Sequence, residues 1–310
     1  MFSVIFPGQG SQVVGMSSDL YTKFELIKKL YKEADEVLNY PISKLILNGP
    51  KEELDLTENT QPAIFLVGYS IFQILKEEFN IDLNKAKFFA GHSLGEYTAL
   101  ACAGALDFPS TLKILKLRGR AMQTAVPKGE GGMLAILGSD IDTIEKNFEE
   151  NKSQFKCFIA NDNSNGQIVA SGTMENINKL SKDLTSKNIK NIKLSVSAPF
   201  HCNLMNKATE IMKSEIEKLD FKTFETPLIS NVTAVEIKDN SSLKNLLIQQ
   251  IESRVRWRES VLYMIDNGVK QFIEIGPGKV LSGLIKRIDR SVKISAINNE
   301  EDISVVKIND

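Results

Sequence analysis

The 310-residue sequence predicts an α/β fold in which a small domain is inserted into a larger one. Three observations support this prediction. Short apolar segments alternate with helical patterns up to residue 126 and again from residue 198 onward. The stretch 127–197 has a different order of elements: strand, helix, strand, strand, helix, strand. One serine, flanked by glycines two residues away on each side, lies where a predicted strand turns directly into a predicted helix.

The first part of the large domain begins with an apolar strand at 2–6 that ends at a Pro-Gly pair. Helical patterns follow, then a second short apolar strand, then two more helices; the predicted elements are helices 21–38 and 61–78, strand 86–90, and helices 96–103 and 110–124. Strands that alternate with helices in this way favour a parallel sheet covered by helices on both faces.

The second part of the large domain continues the same alternation. It contains a predicted helix at 203–218 and short apolar strands at 228–231, 271–275 and 292–296. We therefore expect residues 1–126 and 198–310 to form one α/β domain with a short parallel sheet covered by helices.

The inserted segment has its own element order. Its predicted strands are 133–137, 155–160, 167–171 and 192–196, and its predicted helices are 141–151 and 174–188. The order βαββαβ is that of the ferredoxin-like unit. Residues 127–197 are thus predicted to be a ferredoxin-like small domain, and the cleft between the two domains is a preferred place for a ligand.

Composition excludes several classes of function. The net charge of −1 gives no reason to expect nucleic-acid binding, and the three cysteines show neither metal-site spacing nor an even number. No apolar run approaches the length of a membrane span, and no secretory signal begins the chain. We expect a monomeric, cytoplasmic protein with reduced thiols, no metal and no membrane partner.

Residues 91–95 match the Gly-x-Ser-x-Gly nucleophile elbow, which also predicts an α/β-hydrolase-like core. The glycines lack the Cβ that would clash in so tight a turn. The turn holds Ser93 at a helix N-terminus, where free N–H groups and the helix dipole favour the negative charge of an oxyanion. Ser93 is therefore the candidate nucleophile, and a purely structural Gly-Ser turn is the alternative.

A nucleophilic serine needs a base, and the chain has only two histidines. His92 is the direct neighbour of Ser93, so its side chain is expected to point away and to pack beside the elbow. His201 follows Pro199 where the chain re-enters the large domain, from which it can reach across the cleft. His201 is the candidate base that takes the serine proton and returns it to the leaving group.

A carboxylate to orient the histidine is harder to find. Serine hydrolases with an acid place it between the serine and the histidine in sequence. The aspartates of that interval fall in loops and helices of the small domain: Asp140, Asp142, Asp162 and Asp183. A backbone or amide carbonyl could hold the Nδ1–H of His201 instead, and sequence spacing leaves the choice open.

Two further positions could bind substrate. The turn at 7–12 lacks the third glycine of a dinucleotide fingerprint because Val13 occupies its place, so Gln9 is either an oxyanion-hole donor or part of a plain turn. Arg118 and Arg120 follow on a helix, where one inward-facing arginine would make a bidentate carboxylate site. The sequence does not decide which of the two arginines faces inward.

Six segments together resemble the malonyl-CoA:acyl carrier protein transacylases, in that family's order and over nearly the whole chain: 6–12, 91–97, 117–123, 199–202, 230–234 and 274–281. The resemblance implies that Ser93 is acylated, that His201 is the base and that Arg118 binds the malonyl carboxylate. It also implies an oxyanion hole made by Gln9 and the backbone N–H of Leu94.

In this family a main-chain carbonyl near a glutamine orients the histidine, so no carboxylate is needed. The matching position is Gln250, with Gln249 as the alternative. The resemblance implies malonyl-CoA and a phosphopantetheinyl acyl carrier protein as substrates, no bound cofactor, and transfer that supplies fatty-acid elongation. A polyketide acyltransferase with the same chemistry, a serine thioesterase or esterase, and a non-catalytic acyl-thioester-binding protein are the alternatives.

Acyl carrier proteins are acidic, so a basic patch near the cleft would steer one into place. The candidates follow the Gly-Pro-Gly turn at 276–278: Lys279, Lys286, Arg287 and Arg290. The last three have helical spacing. The alternative is an ordinary solvated helix face.

Overall fold

The computed structural model describes residues 1–196, 198–237 and 239–305. The strands of this described part are β1 Phe2–Phe6, β2 Phe88–Gly91, β3 Gly131–Leu137, β4 Cys157–Ser164, β5 Gln167–Thr173, β6 Lys190–Lys193, β7 Leu228–Ile229, β8 Glu236–Ile237, β9 Gln271–Ile275 and β10 Lys293–Ile297. The predicted α/β class is confirmed.

Each helix that the sequence predicts is found in the described part, but the predicted helix 21–38 is divided into two at Phe24, whose backbone is extended. The helices of the described part are α1 Ser18–Lys23, α2 Glu25–Leu38, α3 Ile42–Asn48, α4 Lys51–Leu54, α5 Thr57–Glu77, α6 Leu94–Cys102, α7 Phe108–Thr124, α8 Ile141–Glu150, α9 Met174–Ser186, α10 Asn206–Ile216, α11 Asn240–Gln250, α12 Trp257–Asp266, α13 Val280–Ile288 and α14 Glu300–Val305. The predicted helix at 203–218 begins with a 3₁₀ turn, so α10 itself starts at residue 206. None of the helices in the described ranges is both long and apolar enough to span a membrane.

The larger sheet has the order β10-β9-β1-β2-β7-β8 in the described residues. Its first five strands run parallel, as predicted, but β8 pairs antiparallel with β7. The prediction of a wholly parallel sheet is therefore wrong at this edge. Only residues 230–235 connect the two strands, and a parallel crossover needs a dozen or more.

The second sheet lies entirely within the segment 131–193 and has the order β4-β5-β3-β6, with every neighbouring pair antiparallel. Apolar residues of α8 and α9 pack against β3 and β5 to form a separate core. Strand β6 occupies Lys190–Lys193 instead of the predicted 192–196. The predicted boundary at Ser197 lies outside the described residues.

The parallel sheet brings the two predicted active-site loops together. Strands β1 and β2 pair with Phe6 opposite Gly91, so the loop that carries Gln9 and the elbow that carries Ser93 leave the same edge of the sheet. The carboxyl ends of parallel strands are where α/β proteins bind their ligands.

Candidate active site

The turn between β2 and α6 is held in a conformation that depends on its glycines. Ser93 has φ 54° and ψ −110°, a backbone region that costs of order 1–3 kcal/mol for a residue with a side chain. A Cβ on Gly91 would lie 1.9 Å from the carbonyl of Gly95, and a Cβ on Gly95 would lie 2.3 Å from the Phe6 carbonyl oxygen. The chain can therefore turn this sharply only with glycine at both places, and the turn carries Ser93 into the cavity.

Ser93 and His201 form a hydrogen-bonded pair. The distance from Ser93 Oγ to His201 Nε2 is 2.8 Å, and the distance from His201 Nδ1 to the main-chain oxygen of Gln250 is also 2.8 Å. A carbonyl oxygen only accepts, so Nδ1 carries the proton and Nε2 is free to accept one from Ser93. Gln250 rather than Gln249 thus lies against the histidine.

Three of the four aspartates considered between Ser93 and His201 are engaged elsewhere. Asp140 caps α8, Asp162 pairs with Arg258, and Asp183 accepts hydrogen bonds from Asn147 and Lys187. Of the described residues, none with a carboxylate makes a hydrogen bond to His201.

The environment of His201 keeps its imidazole neutral. Burial, with the nearby positive charge of Arg118 as the second cause, lowers the pKa of His201 from its ordinary value of 6.5 to about 3. The hydrogen bond to the Gln250 carbonyl acts in the opposite direction but is the weaker influence. The base form is therefore present at any pH near neutrality.

Arg118 is fully buried beside the serine, whereas Arg120 is exposed. Arg118 Nη1 donates to Gln61 Oε1 at 2.8 Å, and Nη2 donates to Gln250 Oε1 at 2.8 Å and to Ser93 Oγ at 3.1 Å. The Nε–H has no hydrogen-bond partner among the described residues. A buried guanidinium held by neutral acceptors favours an anionic ligand, because burial of its unpaired charge is costly.

The predicted oxyanion-hole residues line the same cavity as Ser93 and His201. This cavity has a volume of about 220 Å³, and Gln9, Leu94, Ser93 and His201 all contribute to its wall. Gln9 Nε2 donates to Thr57 Oγ1 at 3.3 Å. Leu94 is the first residue of α6, and the N–H groups of a first helical turn have no partner within the helix. Both residues thus lie at the wall of the cavity that holds the nucleophile, and the Gln9 amide has a second N–H besides the one that Thr57 accepts.

Comparison with known proteins decides the family. The family model described as the acyl transferase domain matches residues 3–307. A relative from Bacillus subtilis (strain 168) is 42% identical over 97% of this chain and 94% of its own, and one from Haemophilus influenzae is 38% identical over 99% and 98%. Both are named malonyl CoA-acyl carrier protein transacylase.

The chain belongs to the malonyl-CoA:acyl carrier protein transacylase family.

Solved structures of malonyltransferases share the α/β fold with its mixed sheet. An acyl carrier protein S-malonyltransferase from Vibrio cholerae is 38% identical, covers 99% of each chain and has a TM-score of 0.94. A second solved relative is described as a type II PKS acyl-carrier protein in complex with its malonyl-transacylase; it is 36% identical, covers 98% of this chain and 97% of its own, and has a TM-score of 0.93.

Two buried polar residues support this transacylase-family site and were given no role from sequence. Asn231 Oδ1 accepts the Ser93 N–H at 2.7 Å, and Asn231 Nδ2 donates to the Gly91 carbonyl at 2.7 Å. Glu96 Oε2 accepts from Gln250 Nε2 at 2.7 Å and from the Asn231 N–H at 3.2 Å. Burial raises the pKa of Glu96 to about 7. The only sequence signal was that both residues lie in segments shared with the family.

His92 packs beside the elbow, as expected. Within the described part of the chain it makes no hydrogen bond to the Ser93 hydroxyl. Its Nε2 lies 2.8 Å from Asn163 Oδ1, and its ring meets Trp257 edge-on with centroids 5.8 Å apart. Burial lowers the pKa of His92, so this ring is neutral too.

The candidate docking residues lie on and beside α13. Val280, Leu281 and Leu284 of this helix line the cavity. The four cationic residues point outward: Lys279, Lys286, Arg287 and Arg290. Arg287 donates to Gln167 Oε1 at 3.2 Å, and Lys279 lies 3.9 Å from an Asp302 oxygen. In the described ranges, no cluster of three or more His, Cys, Asp and Glu side chains could hold a metal ion.

Proposed function

We propose that the protein transfers the malonyl group of malonyl-CoA to the phosphopantetheine thiol of acyl carrier protein through a malonyl-Ser93 intermediate, supplying fatty-acid elongation. One observation carries the proposal. The Ser93 hydroxyl oxygen lies 2.8 Å from a neutral histidine nitrogen and 3.1 Å from a buried arginine nitrogen. A base and a carboxylate-binding group therefore meet at one nucleophile, and the names of the relatives match that chemistry.

In the first half-reaction His201 Nε2 takes the Ser93 proton as Oγ attacks the thioester carbonyl. The carbon–sulfur bond then breaks, and the imidazolium returns its proton to the CoA sulfur. In the second half-reaction the carrier-protein thiol gives its proton to His201 and attacks malonyl-Ser93, and the serine leaves with that proton. Water must be kept out at this stage, since it would release malonate.

Each remaining side chain has one task in this proposal. Arg118 pairs with the malonyl carboxylate, which supplies the anion that its buried guanidinium lacks. Gln9 and the Leu94 N–H donate to the oxyanion of each tetrahedral intermediate, and the loss of one such donor costs about 3 kcal/mol of barrier. The main-chain carbonyl of Gln250 keeps the proton of His201 on Nδ1.

We infer that the two sheets belong to two domains. Residues 1–126 and 198–310 form a large domain with an α/β-hydrolase-like core, and 127–197 form a ferredoxin-like small domain. Support comes from the order and antiparallel pairing of the smaller sheet and from the elbow at the edge of the larger one. The cavity that holds Ser93 is lined from both units.

Lys279, Lys286, Arg287 and Arg290 are proposed to dock the acidic carrier protein, because they surround a helix whose apolar face lines the cavity. Reversal of charge at Lys286 and Arg287 should raise the KM for the carrier protein at low ionic strength and leave acylation by malonyl-CoA unchanged. An unchanged carrier-protein KM would exclude these two residues from docking.

The protein is proposed to act as a cytoplasmic monomer with no resident cofactor, malonyl-CoA and the phosphopantetheinyl carrier protein being substrates. The three cysteines are free thiols, which suits a reducing compartment. A polyketide carrier protein as the acceptor is the second candidate, favoured by the solved complex of a type II PKS carrier protein with its malonyl-transacylase.

The test is the intact mass of the protein after it is mixed with malonyl-CoA, with and without carrier protein. The proposal expects one malonyl adduct on Ser93 that persists in buffer and is discharged when the carrier protein is added. Rapid loss of the adduct to water would indicate a thioesterase instead, and no adduct would indicate a non-catalytic binding protein. Discharge rates to fatty-acid and polyketide carrier proteins separate the two transferase candidates.

A further inference from the structure

Glu96 is a buried carboxyl to which the proposed mechanism assigns no task. It lies in the first turn of α6, three residues after the nucleophile, and only 1% of its surface is exposed. Its Oε2 accepts two hydrogen bonds, from the Asn231 N–H and from Gln250 Nε2. Burial of a carboxyl is costly, and these two bonds offset that cost in part.

The partner of Glu96 is the residue that connects the base to the arginine. The main-chain oxygen of Gln250 accepts from His201 Nδ1, and its side-chain Oε1 accepts from Arg118 Nη2 at 2.8 Å. Its side-chain Nε2 faces two acceptors, Glu96 Oε2 at 2.7 Å and the Ser93 carbonyl at 3.0 Å. Gln250 thus uses both ends of its amide.

The orientation of that amide is decided by what surrounds it. An amide has one donor end and one acceptor end. If the Gln250 amide were reversed, its oxygen would face the oxygens of Glu96 and Ser93, and its NH₂ would face the N–H of Arg118. All three contacts would then be repulsive. Glu96 supplies the shorter of the two acceptor contacts.

We propose that Glu96 is a positioning residue for malonyl recognition: anchored by the Asn231 N–H, it fixes the Gln250 side-chain amide so that Gln250 Oε1 holds the Arg118 guanidinium. The inference rests on the proposed function, since it needs the substrate carboxylate to bind at Arg118. It assigns selectivity between acyl groups, in part, to a residue that does not contact the acyl group.

The experiment compares kcat/KM for acylation by malonyl-CoA and by acetyl-CoA in the same protein preparation. The ratio of the two does not depend on the fraction of protein that is folded. Glu96→Ala should lower the malonyl-to-acetyl ratio about tenfold, the size expected when one buried hydrogen bond to a charged group is lost. Glu96→Gln should keep the ratio within about threefold, because its amide oxygen can accept both N–H groups.

The matched control is Tyr31→Phe, which removes the buried hydrogen bond between Tyr31 and Ser17. Neither residue lines the cavity that holds Ser93. Tyr31→Phe should change the stability of the protein and leave the malonyl-to-acetyl ratio as it is. An unchanged ratio in Glu96→Ala, or an equal loss in Glu96→Gln, would overturn the inference.

A double-mutant cycle tests whether Glu96 acts through Gln250. Gln250→Ala removes the side-chain amide and keeps the main-chain carbonyl that holds His201. In that background Glu96→Ala should have no further effect on the ratio, because the contact between the two side chains is already gone. A second full drop in the ratio would show that Glu96 acts by another route and would overturn the inference.

Two further readouts keep the outcome clear. If Glu96→Ala does not fold, Glu96→Asp carries the same test, because it keeps the charge and shortens the reach by one methylene. A wild-type protein that forms no malonyl adduct on Ser93 would refute the proposed function itself. A normal adduct in wild type with an unchanged ratio in both shortened variants would refute only the role of Glu96.

Discussion

Replacement of Arg118 by alanine should reverse much of the preference for malonyl-CoA over acetyl-CoA. A guanidinium has five N–H groups. Gln61, Gln250 and Ser93 accept three of them, and all three acceptors are neutral, so a substrate carboxylate would give Arg118 its charge-assisted hydrogen bonds. Two charge-assisted hydrogen bonds at about 1.5–3 kcal/mol each predict a loss of about 10²–10⁴-fold in kcat/KM for malonyl-CoA.

Acetyl transfer should respond differently to the same change. Acetyl-CoA leaves the buried guanidinium of the wild-type protein without its anion, a penalty of about 1–3 kcal/mol that Arg118→Ala removes. The malonyl-to-acetyl ratio should therefore fall by a larger factor than the lost carboxylate contacts alone would give. Any slowing of both reactions by the lost contact to Ser93 cancels in that ratio.

The assay is stopped-flow or quenched acylation of Ser93 by each acyl-CoA, read as intact mass. Arg120→Ala is the matched control, because it changes the same residue type two positions along α7 at an exposed place. It should leave the ratio unchanged. An equal ratio in Arg118→Ala and wild type would refute the assignment of the carboxylate to Arg118.

Three other predictions concern the base and the elbow. The first is tested in a Glu96→Gln background, which removes the group whose pKa is about 7. There, kcat/KM for malonyl-CoA should stay level between about pH 7 and 5, because the pKa of His201, lowered to about 3, keeps its base form populated. A half-maximal rate near the ordinary histidine pKa would contradict this prediction. Gly91→Ala should lower the free energy of unfolding by more than about 3 kcal/mol, since the new Cβ would lie 1.9 Å from the backbone of Gly95. The control Gly283→Ala, which has open space around it, should be neutral or stabilising in the same thermal melt. Asn231→Ala should cost about 2–4 kcal/mol by chemical denaturation, because it leaves the Ser93 N–H and the Gly91 carbonyl unpaired; a loss under about 0.5 kcal/mol would disprove that role.

The elbow could be predicted from sequence because its requirement is local. Two glycines at fixed distances from a serine are needed wherever a strand turns this sharply into a helix, whatever the rest of the fold does. The smaller sheet could be predicted for a similar reason, since its βαββαβ order lies within one continuous segment. Strand β8 could not be predicted, because its two residues, Glu236–Ile237, are too few to show a periodicity.

In two cases the sequence could not decide which of two nearby residues faces the site. Arg118 and Arg120 lie about 200° apart around a helix, so sequence could place them on opposite faces but could not say which face is buried. Gln249 and Gln250 differ by one residue at the end of α11, and only the packing of that helix end against His201 separates them. The contacts of Glu96 could not be predicted, because its partners come from segments that are distant in sequence.

The charge of Arg118 links the choice of substrate to the strength of the base. In the free protein this charge is one of the causes that lower the pKa of His201, since two positive charges at one buried site repel each other. On the proposed mechanism a malonyl carboxylate pairs with Arg118 and removes that repulsion, so the pKa of His201 rises once substrate is bound. Acetyl-CoA brings no such charge and leaves the base weak. Selectivity should therefore be expressed in kcat as well as in KM, because the compensating anion strengthens the base during the reaction itself. A triad with an acid places a fixed carboxylate behind its histidine, whereas here the negative charge that assists the base arrives with the substrate.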